Sequence, residues 1–284
     1  MAMLCSKRLF SATLRRTLST FEYLQVEKPA PKVYNVQLNR PDKRNALNME
    51  MWAEVATCFK ELSATPDCRV IILSGNGKAF CAGIDLASFI SLIPKKLDAA
   101  HKALELLGTI KGLQDGFTTM EHCNKPVIGA VHGSCIGGGI DVISSTDIRL
   151  ASHDAVFQIK EVDIGIAADV GTLQRLPKIV GNQSVVNELA LTARKFHADE
   201  ALRIGLVSNV YTTKSEMMEK AVEMALVIAS KSPVAVQGTK NNIVYARDHT
   251  VQEGLDRIAL WNSVMLQGGD PMIAMTGGTE YEDA

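Results

Sequence analysis

The chain has 284 residues, 46% of them hydrophobic, and 30 Lys and Arg against 31 Asp and Glu give a net charge of -1. That length supports one large core, or a core with a smaller satellite. No basic stripe of the kind that binds nucleic acid is visible, and no apolar run reaches the roughly 18 residues of a membrane span.

The first twenty residues, MAMLCSKRLFSATLRRTLST, carry Lys7, Arg8, Arg15 and Arg16 among Ser and Thr, and the first acidic residue is Glu22. Leu4, Leu9, Phe10 and Leu14 can share one helix face. This is the composition of a mitochondrial transit peptide, so residues 1–21 are set apart from the fold and a matrix location is expected. The ending TGGTEYEDA lacks an SKL-type peroxisomal address. Tyr34, Val36 and Leu38 alternate with polar neighbours and predict a strand. NRPDKRNALN reads as a turn with Asn48 as a helix cap, followed by helical spacing from Met49 to Leu62. Arg69 to Ser74 reads as a buried strand ended by GNGK, and a helix-prone stretch covers about Lys95 to His122. Pro126 to His132 is a further buried strand, then come glycines, a short helix over about 138–145, and strands at 148–151 and 155–159. Beyond about residue 169 helical patterns dominate, at 171–180, 184–191, 198–204, 215–229, from Pro233, and at 250–266. The expected organisation is an α/β core over 22–210 and a helical region over 211–284.

Several motifs invite a chemical reading and lose it on inspection. GNGKAF lacks the GxxxxGK[ST] of a phosphate loop, and GSCIGGG is not GxGxxG, so neither points to a nucleotide. The six cysteines, Cys5, Cys58, Cys68, Cys81, Cys123 and Cys135, have no metal-knuckle or CxxC spacing, and reduced, mostly buried thiols are expected. The histidines show no paired metal spacing.

The stretch from Gly133 to Leu176 carries more. Asp141, Glu161 and Asp169 lie there among apolar residues and glycines. Carboxylates in such surroundings lose hydration, which raises their proton affinity toward neutrality and suits them to both taking and giving a proton. The glycine run before Asp141 offers bare backbone N–H groups of the kind a developing enolate oxygen needs. Taken singly, each acid also has a structural reading: Asp141 complementing a helix dipole, Glu161 as an exposed edge charge, Asp169 capping the next helix.

The ordered set NRPDKRNALN, AFCAGIDL, KPVIGAVHGSCIGGGID, FQIKEVDIGI and GTLQRLPKIVG resembles the crotonase (enoyl-CoA hydratase/isomerase) superfamily over about residues 33–266. The resemblance implies a spiral of ββα units, a C-terminal helical region that helps trimerise, and trimers that pair to hexamers. It implies an acyl-CoA substrate, with coenzyme A entering as part of that substrate and no metal or other cofactor. Carried over by position, Ala82, Gly83, Ile84, Asp85 and Leu86, with Gly137 and Gly138, would line the acyl-CoA site, and the N–H groups of Ile84 and Gly138 would form an oxyanion hole. Hydratases of this superfamily carry Glu at the position of Asp141 and Gly at that of Asp169. The combination GGGID, KEVDIG and AADVGTLQRLPK instead resembles the superfamily's Δ3,5-Δ2,4-dienoyl-CoA isomerases, which serve β-oxidation of unsaturated acyl chains. That resemblance implies Glu161 at C2, Asp169 at C6 and Asp141 tuning Glu161, with the split between Glu161 and Asp169 less defined than their joint use. The alternatives are a plain hydratase using Asp141 and Glu161, and an RNA-binding relative. The second predicts a lysine-rich helix, whereas Met49 to Leu62 has only Lys60 beside Glu50, Glu54 and Glu61.

Overall fold

The computed structural model describes residues 18–92 and 98–284. Most of the expected leader, with Cys5, lies outside the described residues. From Leu18 the chain is engaged with the core, on which Leu18, Phe21 and Tyr23 pack.

Strands β1 (Leu24–Ala30) and β2 (Val33–Leu38) form a hairpin that leads into helix α1 (Met49–Ser63). β3 (Val70–Gly75) is followed by α2 (Leu86–Ser91) and α3 (Ala99–Glu121). Two strand–strand–helix turns come next: β4 (Val127–Val131), β5 (Ser134–Ile136) and α4 (Gly138–Ser144), then β6 (Ile148–Ser152), β7 (Val156–Gln158) and α5 (Thr172–Val180). α6 (Gln183–Thr192), β8 (Phe196–His197), α7 (Ala198–Arg203) and β9 (Asn209–Tyr211) finish the core. α8 (Lys214–Ala229), α9 (Pro233–Tyr245), α10 (Val251–Met265) and α11 (Asp270–Met275) form the helical end.

The turns β4-β5-α4 and β6-β7-α5 each give one strand to each of two sheets. The larger sheet runs β1-β2-β3-β4-β6-β9, parallel throughout except for the β1–β2 pair, and the smaller runs β5-β7-β8. Because β4 pairs with β6 and β5 with β7, both parallel, successive turns stack as a spiral. The central strands are buried on both faces, and β3 shows how. Val70 and Ile72 meet Met217, Ala221 and Ala225 of α8, while Ile71 and Leu73 join the inner core with Phe59 and Phe117. Alanines at 221, 225 and 229 make a small-residue stripe that brings α8 close to the sheet. Among the described residues no helix is long and apolar enough to cross a membrane.

Most elements fall where the sequence places them, including the Asn48 cap, whose side chain accepts from Met51 N, and the start of α9 at Pro233 behind the Ser232 cap. β1 was not expected. It is an edge strand, and its approach is tied down by acids of α1: Glu54 accepts the N–H groups of Glu22 and Tyr23, both at 2.8 Å, and Glu61 accepts that of Ser19 at 2.9 Å. Those acids hold the chain start in place. Asp147, just before β6, accepts the N–H of Val127 at 2.8 Å and pairs with buried Lys240 of α9 at 2.8 Å.

Helix α3 borders the site, and its position rests on α1. Trp52 donates to the Leu113 carbonyl at 2.9 Å and stacks on Phe117 with ring centroids 4.5 Å apart. Gly116 admits the indole: a Cβ there would lie 2.7 Å from Trp52 Cδ1, whereas a Cβ at Gly112, one turn earlier, would meet nothing within 4 Å. Glycine costs a helix about 1 kcal/mol relative to alanine, and forcing atoms into a packed contact costs about 1–3 kcal/mol. Gly112→Ala should therefore stabilise by about 0.5–1 kcal/mol, and Gly116→Ala should destabilise. Urea unfolding of the two variants reads the signs directly, and equal signs would contradict the contact.

Candidate active site

The loop that precedes α2 is built first. In the NRPDKRNALN turn, Arg44 and Asn45 adopt left-handed backbone, with φ of 51° and 54°. The fully buried Asn45 amide then donates to the carbonyls of Asn76, Ala79 and Phe80 at 2.9, 2.8 and 3.1 Å. Its oxygen accepts the N–H of Arg40 at 2.8 Å. The turn also pins the AFCAGIDL segment along its length. Ala82 N–H donates to Arg44 O, Leu47 N–H to Gly83 O, and Asp85 N–H to Leu47 O, at 2.8–2.9 Å. Asp85 caps α2 through Ala87 N–H at 3.0 Å and pairs with Arg40 at 3.1 Å. Between these anchors the N–H of Ile84 donates to no acceptor among the described residues.

The second N–H comes from the opposite strand. Gly137, with φ of 50°, follows the end of β5, and α4 begins at Gly138, whose N–H is one of the orphans of a helix start. A Cβ on Gly138 would lie 3.7 Å from Ile84 N, and one on Gly83 3.6 Å from Gly138 N, so the two free donors are neighbours. Gly83, at φ 93°, is required by its backbone and by the Ile136 carbonyl 2.8 Å from where a Cβ would stand. Two adjacent backbone donors, one at a helix N-terminus, make a preorganised site for an oxyanion.

The three acids lie close enough for the charge of Asp169 to be felt at Asp141 and Glu161, and they occupy different environments. Asp141, in the first turn of α4, is 0% exposed. Its Oδ1 accepts from the N–H of Thr172 at 2.6 Å and from the Thr172 hydroxyl at 2.7 Å, while Oδ2 has no partner. Burial pushes its carboxyl up to about 7; the Thr172 donors oppose this and the charges of Glu161 and Asp169 add to it. Glu161 opens a short 3-10 turn just after β7 and is 9% exposed, with Oε2 unpartnered. Burial raises its proton affinity, backbone N–H groups at 160 and 161 oppose the rise, and Asp169 adds to it. A Cβ on Gly137 would stand 3.2 Å from Glu161 Oε1, so a bare backbone lets this carboxyl sit beside the start of α4.

Asp169 differs from what its sequence setting suggests. It is not sunk in the pocket: it lies on an irregular segment before α5 and is solvent-exposed, although the protein around it still raises its proton affinity, opposed by its own N–H. It does not cap α5 either, since the cap position is Gly171 and the first free N–H of that helix, on Thr172, is taken by Asp141. Glu161, in turn, is a buried group and not an edge charge. Leu86, Val162, Ile164 and Leu173 are exposed apolar side chains on the same elements. Cys81 and Cys135 pack behind the glycines; burial pushes the Cys81 thiol up to about 12 and that of Cys135 well above its usual value, so neither offers a thiolate.

Sequence reasoning missed Asn45, Thr172, Gln114 and Arg175. Asn45 carried a signal, being an Asn in a turn rich in polar residues. The others act across long sequence separations and carried none.

The enoyl-CoA hydratase/isomerase family profile matches residues 29–261, and the chain belongs to that family. Among its relatives, the human mitochondrial Δ(3,5)-Δ(2,4)-dienoyl-CoA isomerase is 52% identical over 266 residues, covering 93% of this chain and 81% of the relative. The peroxisomal Δ(3,5)-Δ(2,4)-dienoyl-CoA isomerase of Arabidopsis thaliana is 45% identical over 259 residues, covering 89% of this chain and 93% of the relative. In structure, the enoyl-CoA hydratase of Bacillus anthracis superimposes with a TM-score of 0.82 at 26% identity, over 92% of this chain and 99% of that one.

An acid whose folded-state proton affinity exceeds its unfolded value stabilises the fold below the unfolded pKa and loses that contribution as pH rises through the folded one. For Asp141 the window runs from about 4 to about 7. Asp141→Asn removes this dependence. Its stability relative to the unsubstituted protein should therefore rise between pH 4.5 and pH 8, as read by urea unfolding at the two values, the first near the lower edge of the window, where most of the contribution is still present, and the second about one unit above its upper edge. A pH-independent difference would show that Asp141 is already ionised at low pH.

Proposed function

We propose that the protein is a Δ3,5-Δ2,4-dienoyl-CoA isomerase, which moves both double bonds of a 3,5-dienoyl-CoA to the 2,4 positions during β-oxidation of unsaturated acyl chains. The observation that carries the reading is the third acid: the charge of Asp169 is felt at both Asp141 and Glu161, which lie on the segments beside the free N–H of Gly138. The relatives that bear this activity in their names support it.

The thioester oxygen accepts from Ile84 and Gly138 N–H, and the segment Ala82 to Leu86 with Gly137 lines the acyl-CoA site, largely through backbone. Glu161 removes a proton from C2. A base with raised proton affinity is the stronger base, provided that it is still ionised at the working pH. The electron pair spreads over the conjugated chain and onto the thioester oxygen as a dienolate, which the two donors stabilise. Asp169, in its acid form, delivers a proton to C6, and the double bonds settle at 2,4. Two groups are needed because C2 and C6 are too far apart for one short carboxyl. Asp141 is fixed by Thr172 and tunes Glu161 through its charge state. Proton transfer alone rearranges the bonds, so the chemistry calls for no metal or redox cofactor, and coenzyme A arrives with the substrate. Relatives named as mitochondrial support a mitochondrial location; within it we propose the matrix, and a homotrimer or a pair of trimers as the family resemblance implies.

Ultraviolet absorbance with 3,5-octadienoyl-CoA follows the 2,4-dienoyl product directly. A fast rise is expected, and Asp169→Asn should lower kcat by at least about 100-fold with acyl-CoA binding close to unchanged. Full activity in that variant would remove Asp169 from the mechanism. No rise in the unsubstituted protein, with hydration of a trans-2-enoyl-CoA instead, would make it a hydratase.

A further inference from the structure

Asp169 has an exposed side chain on a segment without helix or strand, and a general acid must be held to within a fraction of an ångström of its target carbon. Its fixed geometry comes from elsewhere. Gln114, on α3, donates its amide to the carbonyl of Asp169 itself at 2.6 Å. Arg175, on α5, reaches back to the carbonyl of Val170 at 3.4 Å. Gly171 makes room for that guanidinium: its φ is 135°, and a Cβ there would fall 1.8 Å from Arg175 Nη1. Arg175 is held in turn by Glu121 at 2.9 Å and by the Thr118 hydroxyl at 3.1 Å, both on α3. Arg247, just past α9, pairs with the other oxygen of Glu121.

We infer that Gln114 and Arg175 are positioning residues that clamp the main chain at Asp169 and Val170 and so aim the Asp169 carboxyl at the distal carbon of the acyl chain. The inference rests on the reading of Asp169 as the acid that serves C6. Neither residue hydrogen-bonds the carboxyl, so the clamp sets where the acid stands and leaves the proton removal at C2 to Glu161. This separation makes it testable. When the acid is misplaced, the dienolate forms and returns to substrate, exchanging its C2 hydrogen with solvent but not isomerising.

The experiment measures two rates on the full chain with 3,5-octadienoyl-CoA in D2O: isomerisation by absorbance, and deuterium uptake at C2 of the recovered substrate by mass spectrometry. Gln114→Met, close in size but without a donor, and Arg175→Met should each lower kcat for isomerisation about tenfold or more, with KM near its original value. C2 exchange should persist, so that the exchange-to-isomerisation ratio rises toward that of Asp169→Asn. Arg175→Lys, which keeps a donor, should recover part of the loss. Parallel loss of both rates in Gln114→Met and Arg175→Met would reduce the clamp to a general structural role and overturn the inference, as would unchanged isomerisation. An unsubstituted protein that fails to isomerise at all would overturn the underlying reading first and this inference with it.

Discussion

The site depends on one joint: a wholly buried carboxylate oxygen, Asp141 Oδ1, that takes both the N–H and the hydroxyl of Thr172. Asp141 belongs to α4, whose first N–H is one of the two free donors, and Thr172 begins α5, whose approach carries Asp169. The joint thus fixes the free N–H of Gly138 relative to the segment that carries Asp169, although the two residues are 31 positions apart. It also satisfies an N–H that a helix start would otherwise leave without a partner inside the protein. A buried acid with two donors is costly to lose, since removing one partner leaves the others unsatisfied.

The three carboxyls form a graded series. Asp141 is sealed and anchored, Glu161 is buried with one oxygen free, and Asp169 faces solvent. Burial raises all three, and their mutual repulsion adds to the rise at Asp141 and Glu161. In the proposed mechanism each turnover leaves Glu161 protonated and Asp169 ionised, so both must be reset. The openness around Asp169 lets it regain a proton from water. The same openness means that the position of Asp169 cannot come from packing of its own side chain, which is why main-chain bonds from α3 and α5 matter there.

How much of this was legible follows from the range of each interaction. The strands β2, β3 and β4 and the helices of the second half were readable because burial imposes local periodicity. β1 was not, because LQVEKPA is an edge strand with polar residues on both faces, and its anchors are carboxylates of α1 some thirty residues away, as with Glu54 and Tyr23. β8 and β9, at two and three residues, are too short to show a period. In the site, the acids and the glycine run stood out because charge among apolar residues and repeated glycine are visible one residue at a time. Burial did not follow from that setting: Glu161 and Asp169 sit in similar local sequence and end in opposite environments. Thr172 and Gln114 were invisible because their partners, Asp141 and Asp169, are brought to them only by the stacking of successive turns.

The choice between isomerase and hydratase rests on the third acid, Asp169, and the anchoring of Asp141 bears on it as well. A hydratase of this family needs two carboxyls that share a water, each with an oxygen free to hold it. Here Oδ1 of Asp141 is saturated by Thr172, and only Oδ2 remains open. Asp is one methylene shorter than the Glu found at this position in hydratases, and that length lets its oxygen meet the start of α5 from within α4. A carboxyl held this way has given half of its acceptor capacity to the fold, and its charge acts on Glu161 through space, as its own response to the Glu161 charge reflects. In the proposed mechanism the additional acid at Asp169 moves the second proton transfer away from C3, where water would add, and out along the chain to C6.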